Sequence, residues 1–260
     1  MESAQRALVR RPSPRLADGI TTHIERVPVE LSLAERQWQA YVDTLAACGW
    51  DVIEVARADD SPDGVFVEDS VVMFGPLAVL TNPGAVSRRA EISGTADAVR
   101  ACGYRTASIT GSATVDGGDI LKIGYRAYVG RGGRTNAEGV RQLRALLAGT
   151  SWAVTAVPLS KALHLKSAVT ALPDGTVIGY SPVVDDPGFF PSYRAMPEEP
   201  GAHVVDLGRG RLLMSAAAPR SAALIADLGY EPVLVDISEF EKLEGCVTCL
   251  SVRLRSAPVP

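Results

Sequence analysis

Two cysteines lie near the C-terminal end of the chain, in the segment Gly-Cys-Val-Thr-Cys at 245–249. Cysteine attacks as the thiolate, so a nucleophilic cysteine needs a nearby histidine or positive potential to lower its pKa. The sequence predicts that Cys249 lies near the start of a short β-strand, where it is held rigidly and stays accessible to a small molecule. On this segment alone a buried strand cysteine without a catalytic role is the preferred interpretation, because free cysteines are among the most buried residues.

Cys246 and Cys249 also form a C-x-x-C pair, which is typical of redox or zinc sites. Such sites call for a helix N-terminus or a second pair, and Cys48 and Cys102 are each alone in the sequence. Residues three apart on a strand point to opposite faces. We therefore expect Cys246 to point away from Cys249, and we expect no metal and no cofactor.

Composition excludes several classes of function. The chain has 260 residues, a formal net charge of −4 and 47% hydrophobic residues, which is the balance of an ordinary globular protein. This charge predicts no nucleic-acid partner and no membrane surface as a partner. No signal-like apolar run occurs at 1–11, and four cysteines do not make a disulfide framework, so we expect a cytoplasmic protein. The sequence leaves monomer and homodimer open.

A repeated order of elements organises the chain. A helix ends at a glycine, an aromatic residue follows, and a strand comes next. The helices are predicted at 32–48, 87–102, 137–148 and 219–228, and the strands at 51–55, 105–110, 153–159 and 232–237. A capping box formed by Ser32 and Glu35 is predicted to begin the first helix, and Asn136 is predicted to cap the third.

β-Hairpins are predicted before most of these helices, at 66–81, 119–130 and 163–180. After the third hairpin a proline-rich stretch leads to a predicted strand at 203–207. The N-terminal strand at 7–11 can pair with the strand around Cys249, which closes a ring of about five units as in propellers. The sequence therefore predicts one α/β domain over residues 1–260, a five-bladed propeller of ββαβ units.

The first hairpin strand of each unit carries polar residues that a core does not explain. Acids are rarely buried without partners. A planar cation with several N–H donors, such as guanidinium, matches a group of carboxylates. We interpret Asp119 as a residue that caps its turn, and His23 and His203 as structural or surface residues. The remaining polar residues predicted to face the centre are Asp63, Glu68, Asp69, Asp116, His164, Lys166 and Cys249.

Seven segments in this order resemble the dimethylarginine dimethylaminohydrolases, a family of the pentein superfamily of guanidine-modifying enzymes. The resemblance covers nearly the whole chain. The segments are 16–19, 63–69, 82–89, 115–119, 133–136, 163–166 and 245–249. Two positions depart from the pattern, because Asn82 stands where relatives often have arginine and Cys246 often corresponds to glycine. The pentein fold is a five-bladed ββαβ propeller, which agrees with the repeat.

The resemblance implies a role for each site residue. Cys249 is the implied nucleophile, His164 the general acid and base, and Asp116 the acid that orients it. The implied guanidinium ligands are Asp63, Glu68 and Asp69. At the amino-acid end of the substrate, the implied contacts come from Arg88, Arg134 and the backbones of Leu16 and Leu243.

The implied reaction is hydrolysis of Nω-methylated L-arginine to L-citrulline and an amine through a covalent intermediate on Cys249. Two alternatives remain open on the sequence. One is another pentein reaction, such as arginine deimination, citrulline hydrolysis or amidino transfer. The other is a non-catalytic pentein-type binding protein, which the coexistence of Cys249, His164 and Asp116 disfavours.

Overall fold

Five small sheets form the architecture of the protein. The structure is a computed structural model that describes residues 5–255, and within this range fifteen strands make five sheets of three. In every sheet the first two strands are antiparallel and the third is parallel to the second. The predicted five-bladed α/β propeller is therefore confirmed. The single-domain prediction also covers residues 1–4 and 256–260, which lie outside the described residues.

The strands are short, with three to six residues each. The first three sheets in chain order contain β1 (Arg6–Val9), β2 (Asp51–Glu54), β3 (Val71–Phe74), β4 (Leu77–Leu80), β5 (Arg105–Ser108), β6 (Ile120–Ile123), β7 (Arg126–Arg131) and β8 (Ala153–Pro158). The remaining strands are β9 (Val169–Ala171), β10 (Val177–Gly179), β11 (Tyr193–Ala195), β12 (Val205–Gly208), β13 (Arg211–Ser215), β14 (Glu231–Val235) and β15 (Val252–Leu254).

Four of the five units place a long helix between their second and third strands. These helices are α1 (Leu31–Ala47), α2 (Ile92–Ala101), α3 (Ala137–Leu146) and α5 (Pro219–Asp227). Two single-turn helices, α4 (Leu165–Ala168) and α6 (Ser238–Glu241), lie close to predicted site residues. In α1, buried Trp38, Tyr41 and Leu45 recur every three or four residues and pack in one hydrophobic cluster with β1.

The glycines that follow the four long helices have the backbone conformation that the repeat predicts. Gly49, Gly103, Gly149 and Gly229 have φ between +79° and +90°, a region that residues with a Cβ rarely enter. Each glycine ends its helix and sends the chain back toward the sheet. Asn136 caps α3, because its side chain accepts a hydrogen bond from the backbone N–H of Gly139.

The two ends of the chain close the ring. Strand β1 pairs antiparallel with β15 and parallel with β2, so one sheet contains residues from both ends of the sequence. The sequence predicted this closure, because the strand at 7–11 and the strand around Cys249 have no other predicted partners. The closure brings the segment that contains Cys249 beside the turn at 67–70, which precedes β3. There the backbone N–H of Glu68 donates to the Cys249 carbonyl at 3.2 Å.

Several predicted elements were wrong in detail. The predicted strand at 203–207 was expected to end the fourth unit, but β12 begins the fifth sheet and β11 completes the fourth. Residues 67–70 form a 3₁₀ turn before β3, and α4 occupies the start of the third predicted hairpin. Helix α1 starts at Leu31 with Glu30 as its N-cap, so the predicted capping box at Ser32 does not form.

Within residues 5–255, the longest helices fall short of the length and apolar character needed to cross a membrane.

Candidate active site

Cys249 lies in a turn rather than on a strand. The backbone N–H of Cys249 donates to the carbonyl of Cys246 at 3.0 Å, a bond of the type that closes a β-turn. Strand β15 begins only at Val252. The predicted placement of Cys249 on a strand was therefore wrong, although the side chain remains in a fixed position, being 7% exposed.

The turn also brings the two thiols together. The Sγ atoms of Cys246 and Cys249 are 3.3 Å apart, and the Cys246 N–H approaches Cys249 Sγ at 3.5 Å. The prediction that Cys246 points to the opposite face was wrong because it assumed strand geometry for both residues. The Cys246 thiol also contacts the hydroxyl of Thr248 at 3.3 Å.

Close packing fixes this turn in place. A Cβ atom on Gly245 would lie 2.3 Å from the Phe66 ring and 2.9 Å from the Phe240 carbonyl oxygen, so only glycine fits at this position. Its neighbour Glu244 adopts a left-handed φ of 60°. The Glu244 carboxylate accepts hydrogen bonds from the N–H groups of Thr22 at 2.6 Å and His23 at 2.8 Å. This contact joins the N-terminal loop to the cysteine turn.

His164 immediately precedes α4 and contacts Asp116, as predicted. Its Nε2 lies 2.9 Å from Asp116 Oδ2, and its Nδ1 lies 3.9 Å from Asp69 Oδ1. Asp116 is fully buried, and its second oxygen accepts the N–H of Gly84 at 2.8 Å. The carboxylate is thus fixed at both oxygens and can hold the imidazole in one orientation.

The carboxylates around His164 determine its charge. Burial alone would lower the pKa of His164, but Asp69 and the hydrogen bond to Asp116 raise it to about 9. Burial alone would raise the pKa of Asp69, but the positive charges of His164 and Arg88 lower it well below its ordinary value. At neutral pH the site therefore holds an imidazolium ion beside an ionised Asp69.

Asp119 supports the segment that carries His164. Its Oδ1 accepts the backbone N–H of Leu165 at 3.0 Å, so it fixes the start of α4. Burial raises the pKa of Asp119 to about 7. The interpretation of Asp119 as a turn cap missed this contact with the next repeat, which no local pattern in the sequence indicates. His203 assists from the other side, where its Nε2 donates to the Ser167 carbonyl at 2.8 Å.

Most of the predicted site residues line one narrow cavity of about 20 Å³, which we call the reactive cavity. Its walls combine the thiol, the imidazole, the guanidinium groups of Arg88 and Arg134, and three carboxylates, those of Asp63, Asp69 and Glu244. Burial raises the pKa of Asp63, although nearby Arg88 opposes this shift. The predicted residues that line the reactive cavity are Asp63, Asp69, Arg88, Arg134, His164, Leu243 and Cys249.

Ile20 lines the reactive cavity where Leu16 was predicted. Leu16 is fully buried, and its carbonyl accepts the N–H of Gly19 in a short 3₁₀ turn. The N–H of Ile20 donates to Asp63 Oδ1 at 3.0 Å. Ile20 directly follows the 16–19 segment, so the loop that carries this motif borders the cavity. The predicted substrate contact of Leu16 stays a prediction.

Arg88 lines the cavity with its guanidinium already paired. It donates to Glu91 through two nitrogens at 3.1 and 2.9 Å, and to Asp69 Oδ2 at 2.5 Å. The carbonyls of Asp63 and Phe66 accept further bonds. These contacts orient Asp69. Arg134 is half-buried and contacts the Thr22 hydroxyl at 3.3 Å, which leaves it better placed than Arg88 to meet a carboxylate.

Glu68 does not line the reactive cavity. Its carboxylate turns to the other side of the 67–70 turn, where Lys166 lies at 2.5 Å and Arg253 at 3.3 Å. The Thr248 hydroxyl donates to its second oxygen at 2.8 Å. The sequence did not indicate the roles of Thr248 and Arg253. The predicted binding of guanidinium by Glu68 stays a prediction, and the observed partners assign it to a buried ion-pair network.

This network borders a second, larger cavity of about 420 Å³, which we call the basic cavity. Four cations face it, Lys122, Lys166, Arg253 and Arg255, against the carboxylates of Glu68 and Asp206. The same segments separate the two cavities. Glu68 and Thr248 line the basic cavity, whereas their neighbours Asp69 and Cys249 line the reactive cavity.

Asp69, Asp116 and His164 also offer ligand atoms within 4.8 Å of one another, a spacing that a metal ion could use. These atoms already have protein partners. Asp116 contacts His164 and Gly84, and Asp69 contacts Arg88 and the Gly118 N–H. The contacts favour an acid–base pair, and we propose no metal at this position.

Together the five-bladed ring and the Cys, His and Asp residues gathered in one cavity define a pentein-type hydrolase site. No model of a protein family matches the chain. It is 62% identical over 252 residues to N(G),N(G)-dimethylarginine dimethylaminohydrolase from Streptomyces coelicolor, covering 97% of this chain and 98% of that one. It is 35% identical to the Pseudomonas aeruginosa protein of the same name, covering 95% and 98%. The chain belongs to the dimethylarginine dimethylaminohydrolase family.

Solved structures agree with this assignment. A cysteine-to-serine variant of the Pseudomonas aeruginosa enzyme complexed with citrulline superposes with a TM-score of 0.90, at 33% identity and covering 97% of this chain and all of that one. A dimethylarginine dimethylaminohydrolase adduct with S-methyl-L-thiocitrulline, in a histidine-to-glycine variant, gives the same values. The N-terminal domain of the arginine dihydrolase ArgZ has a TM-score of 0.84 at 19% identity, which shows the fold alone.

Proposed function

We propose that this protein hydrolyses Nω-methylated L-arginine to L-citrulline and methylamine or dimethylamine, with Cys249 as the nucleophile. The enzyme class follows from the family, whose members at 62% and 35% identity are named as dimethylarginine dimethylaminohydrolases. The observation that carries the residue roles is the reactive cavity, where Cys249 and a protonated His164 lie beside Asp63 and Asp69.

The two carboxylates provide the binding site for the substrate cation. Asp69 is ionised and held by Arg88 and by the N–H of Gly118 at 2.7 Å. Asp63 is fixed by the N–H of Ile20. Carboxylates match the fork of N–H donors on a guanidinium. Arg134 is the group we assign to the substrate's α-carboxylate, while Leu243 bounds the amino-acid end of the cavity.

The first half-reaction needs a thiolate and an acid. Contact with the Cys246 thiol, burial and the charges of Glu68 and Asp69 raise the pKa of Cys249, so the empty site favours the thiol. A bound guanidinium offsets the negative field and favours the thiolate. The Cys249 sulfur then adds to the guanidinium carbon, and the amine leaves with a proton from His164. The product is an S-alkylthiouronium on Cys249.

The second half-reaction releases citrulline. His164, now neutral, takes a proton from a water molecule that attacks the thiouronium carbon. The carbon–sulfur bond then breaks, the hydroxyl proton passes to the departing Cys249 sulfur, and the carbon–oxygen double bond of the ureido group forms, which restores the thiol. Asp116 and Asp119 keep His164 in position through both steps, since one contacts its ring and the other anchors the following residue.

Two related structures support this assignment of roles. The relative complexed with citrulline carries serine in place of a cysteine, and the relative trapped as an adduct with S-methyl-L-thiocitrulline carries glycine in place of a histidine. We assign the corresponding roles in this chain to Cys249 and His164. We further propose a single domain over residues 1–260, a cytoplasmic location, and a monomer or homodimer that needs no nucleic acid or membrane.

A parallel assay tests the substrate assignment. Citrulline formation is measured with L-arginine, monomethyl-L-arginine and asymmetric dimethyl-L-arginine at equal concentrations. We expect turnover of the two methylated substrates and much slower turnover of arginine. Preference for arginine would overturn the substrate assignment. A halo-acetamidine probe tests the nucleophile separately, because a nucleophilic Cys249 should form a selective covalent adduct with it.

A further inference from the structure

The reaction proposed above uses the thiol of Cys249 and gives no role to the neighbouring thiol of Cys246. Both side chains are buried, with 4% and 7% exposure, and their sulfurs are 3.3 Å apart. Cys246 thus lies in contact with the nucleophile although the reaction does not use its thiol. Its contact with the nucleophile therefore calls for a chemical explanation.

The turn geometry is compatible with a covalent bond between the sulfurs. The hydrogen bond from Cys249 N–H to the Cys246 carbonyl closes a turn in which the two Cα atoms lie within about 7 Å. Disulfides span Cα separations of about 4.4–6.8 Å. The two sulfur atoms therefore need only a small movement to bond, and the backbone need not unfold.

We propose that Cys246 and Cys249 form a reversible disulfide when the protein meets hydrogen peroxide, and that this disulfide blocks the active site. Loss of activity on oxidation rests on the proposed role of Cys249 as nucleophile. The formation of the disulfide does not rest on it.

The chemistry balances with one peroxide molecule. Peroxide reaches the reactive cavity, which Cys249 lines. The Cys249 sulfur attacks one peroxide oxygen while the thiol proton passes to the other oxygen, the O–O bond breaks, and water leaves, so the cysteine becomes a sulfenic acid. The Cys246 sulfur then attacks the Cys249 sulfur, the S–O bond breaks, and a second water leaves. Two thiols are oxidised and one peroxide is reduced.

The surroundings of Cys246 suit it to the second step. After Cys249 is oxidised, the Thr248 hydroxyl still lies 3.3 Å from the Cys246 sulfur, where it can donate to the thiolate and stabilise it. A thiol that ionises readily attacks a sulfenic acid more readily. Because the loop between the cysteines has only two residues, the disulfide is constrained, and constrained disulfides are reduced easily. We therefore expect dithiothreitol to reverse the modification.

The test treats the full-length enzyme with hydrogen peroxide, blocks free thiols, and maps the cysteines by mass spectrometry. The wild type should yield a peptide in which Cys246 and Cys249 are linked and two hydrogen atoms are lost. Citrulline formation should fall and then recover with dithiothreitol. The variant Cys246→Ser should keep its activity before treatment, lose it with peroxide, and fail to recover, because its Cys249 oxidises further.

A matched control is Cys48→Ser, which removes a half-buried thiol outside the pair and should behave as the wild type. The proposal is overturned if treated wild type carries sulfinic acid at Cys249 with Cys246 still free. It is also overturned if Cys246→Ser recovers as fully as the wild type. A linked peptide without loss of citrulline formation would support the disulfide and contradict the assignment of Cys249 as nucleophile.

Discussion

The two cavities of the protein share their walls but differ in their balance of charge. The reactive cavity sets the carboxylates of Asp63, Asp69 and Glu244 against Arg88, Arg134 and His164, whereas the basic cavity holds four cations around Glu68 and Asp206. Adjacent residues of the same turns face different cavities, as Glu68 and Asp69 do. The excess of positive charge in the basic cavity disfavours a cationic substrate, whereas the reactive cavity offers carboxylates to a guanidinium.

This difference explains why two neighbouring acids can have different functions. Asp69 is held by Arg88 and Gly118, and its carboxylate lies 3.9 Å from the His164 ring on the wall of the reactive cavity. Glu68 is neutralised by Lys166 and Arg253, and Thr248 ties it to the cysteine turn. We infer that Asp69 contributes to binding and chemistry, while Glu68 stabilises the partition between the cavities.

The two cysteines of the turn should give the largest contrast. Cys249→Ser removes the nucleophile and should lower kcat by on the order of 10⁴-fold or more, since serine is a far weaker nucleophile in this site. Cys246→Ser should change kcat by less than about threefold, because serine keeps a hydrogen-bonding hydroxyl beside Cys249 and Cys246 forms no bond to the substrate. Circular dichroism should show both variants folded. An equal loss of activity in the two variants would contradict the assignment of the nucleophile.

Variants of the two neighbouring acids, Asp69 and Glu68, should give the next largest difference. Asp69→Asn removes the charge facing the substrate and should lower kcat/KM about 10- to 100-fold. Glu68→Gln leaves Lys166 and Arg253 without their carboxylate and should lower the free energy of unfolding by about 3 kcal/mol, with a smaller change in kcat/KM.

Urea unfolding and steady-state kinetics on both variants check this pair of expectations. If Glu68→Gln raises KM as strongly as Asp69→Asn, Glu68 binds the guanidinium as the sequence predicted, and the division between the two cavities is wrong.

The pH dependence should report the charge of His164. Its pKa is raised to about 9 by the neighbouring carboxylates, so the acid form prevails below that pH and kcat/KM should fall as the pH rises through about 9. Asp116→Asn removes one of these carboxylates and should move the fall to lower pH. A pH–rate profile whose alkaline side is unchanged in this variant would show that another group controls it.

The basic cavity should give the smallest effect. Desolvation at the cavity wall and the cations Lys166, Arg253 and Arg255 lower the pKa of Lys122 to about 7. Lys122 is exposed to the water of the cavity, which screens these charges, so the effect on stability is small. The folded chain then binds fewer protons than the unfolded chain between about pH 7 and the ordinary lysine pKa, so wild-type stability should rise with pH there.

Lys122→Met should remove this rise while leaving citrulline formation unchanged, with a stability change of about 1 kcal/mol or less. Thermal unfolding at pH 7 and pH 9 measures the difference. A variant with the same pH dependence as the wild type would contradict the lowered pKa of Lys122.

The repeat made the architecture predictable from the sequence. Helical periodicity, the glycines at helix ends and the unpaired first strand are local signals, and all of them agree with the ring. The fourth unit was predicted less well because its proline-rich stretch lacks a helix, and the short strand β11 carries no strong pattern. The wrong assignment of β12 to that unit followed from this gap.

The sequence predicted most of the residues that line the site but not how they are arranged. His164 and Asp116 lie in different units, and only the ring brings them to 2.9 Å. The alternation at 247–254 resembles a strand, but the hydrogen bond from Cys249 to Cys246 makes a turn and reverses the predicted direction of Cys246. The Glu68 carboxylate faces the basic cavity because it pairs with Lys166 and Arg253, which are distant in sequence.

The most direct test of the mechanism uses His164→Gly with two substrates. If His164 protonates the leaving amine, its loss should slow attack on methylarginine by about 10²–10⁴-fold. S-Methyl-L-thiocitrulline expels a thiol that needs no proton, so the variant should still form the covalent intermediate with it. Intact-mass spectrometry in a single turnover should then show an adduct on Cys249 and a burst of thiol. Absence of both, with equal inactivity toward the two substrates, would contradict the role assigned to His164.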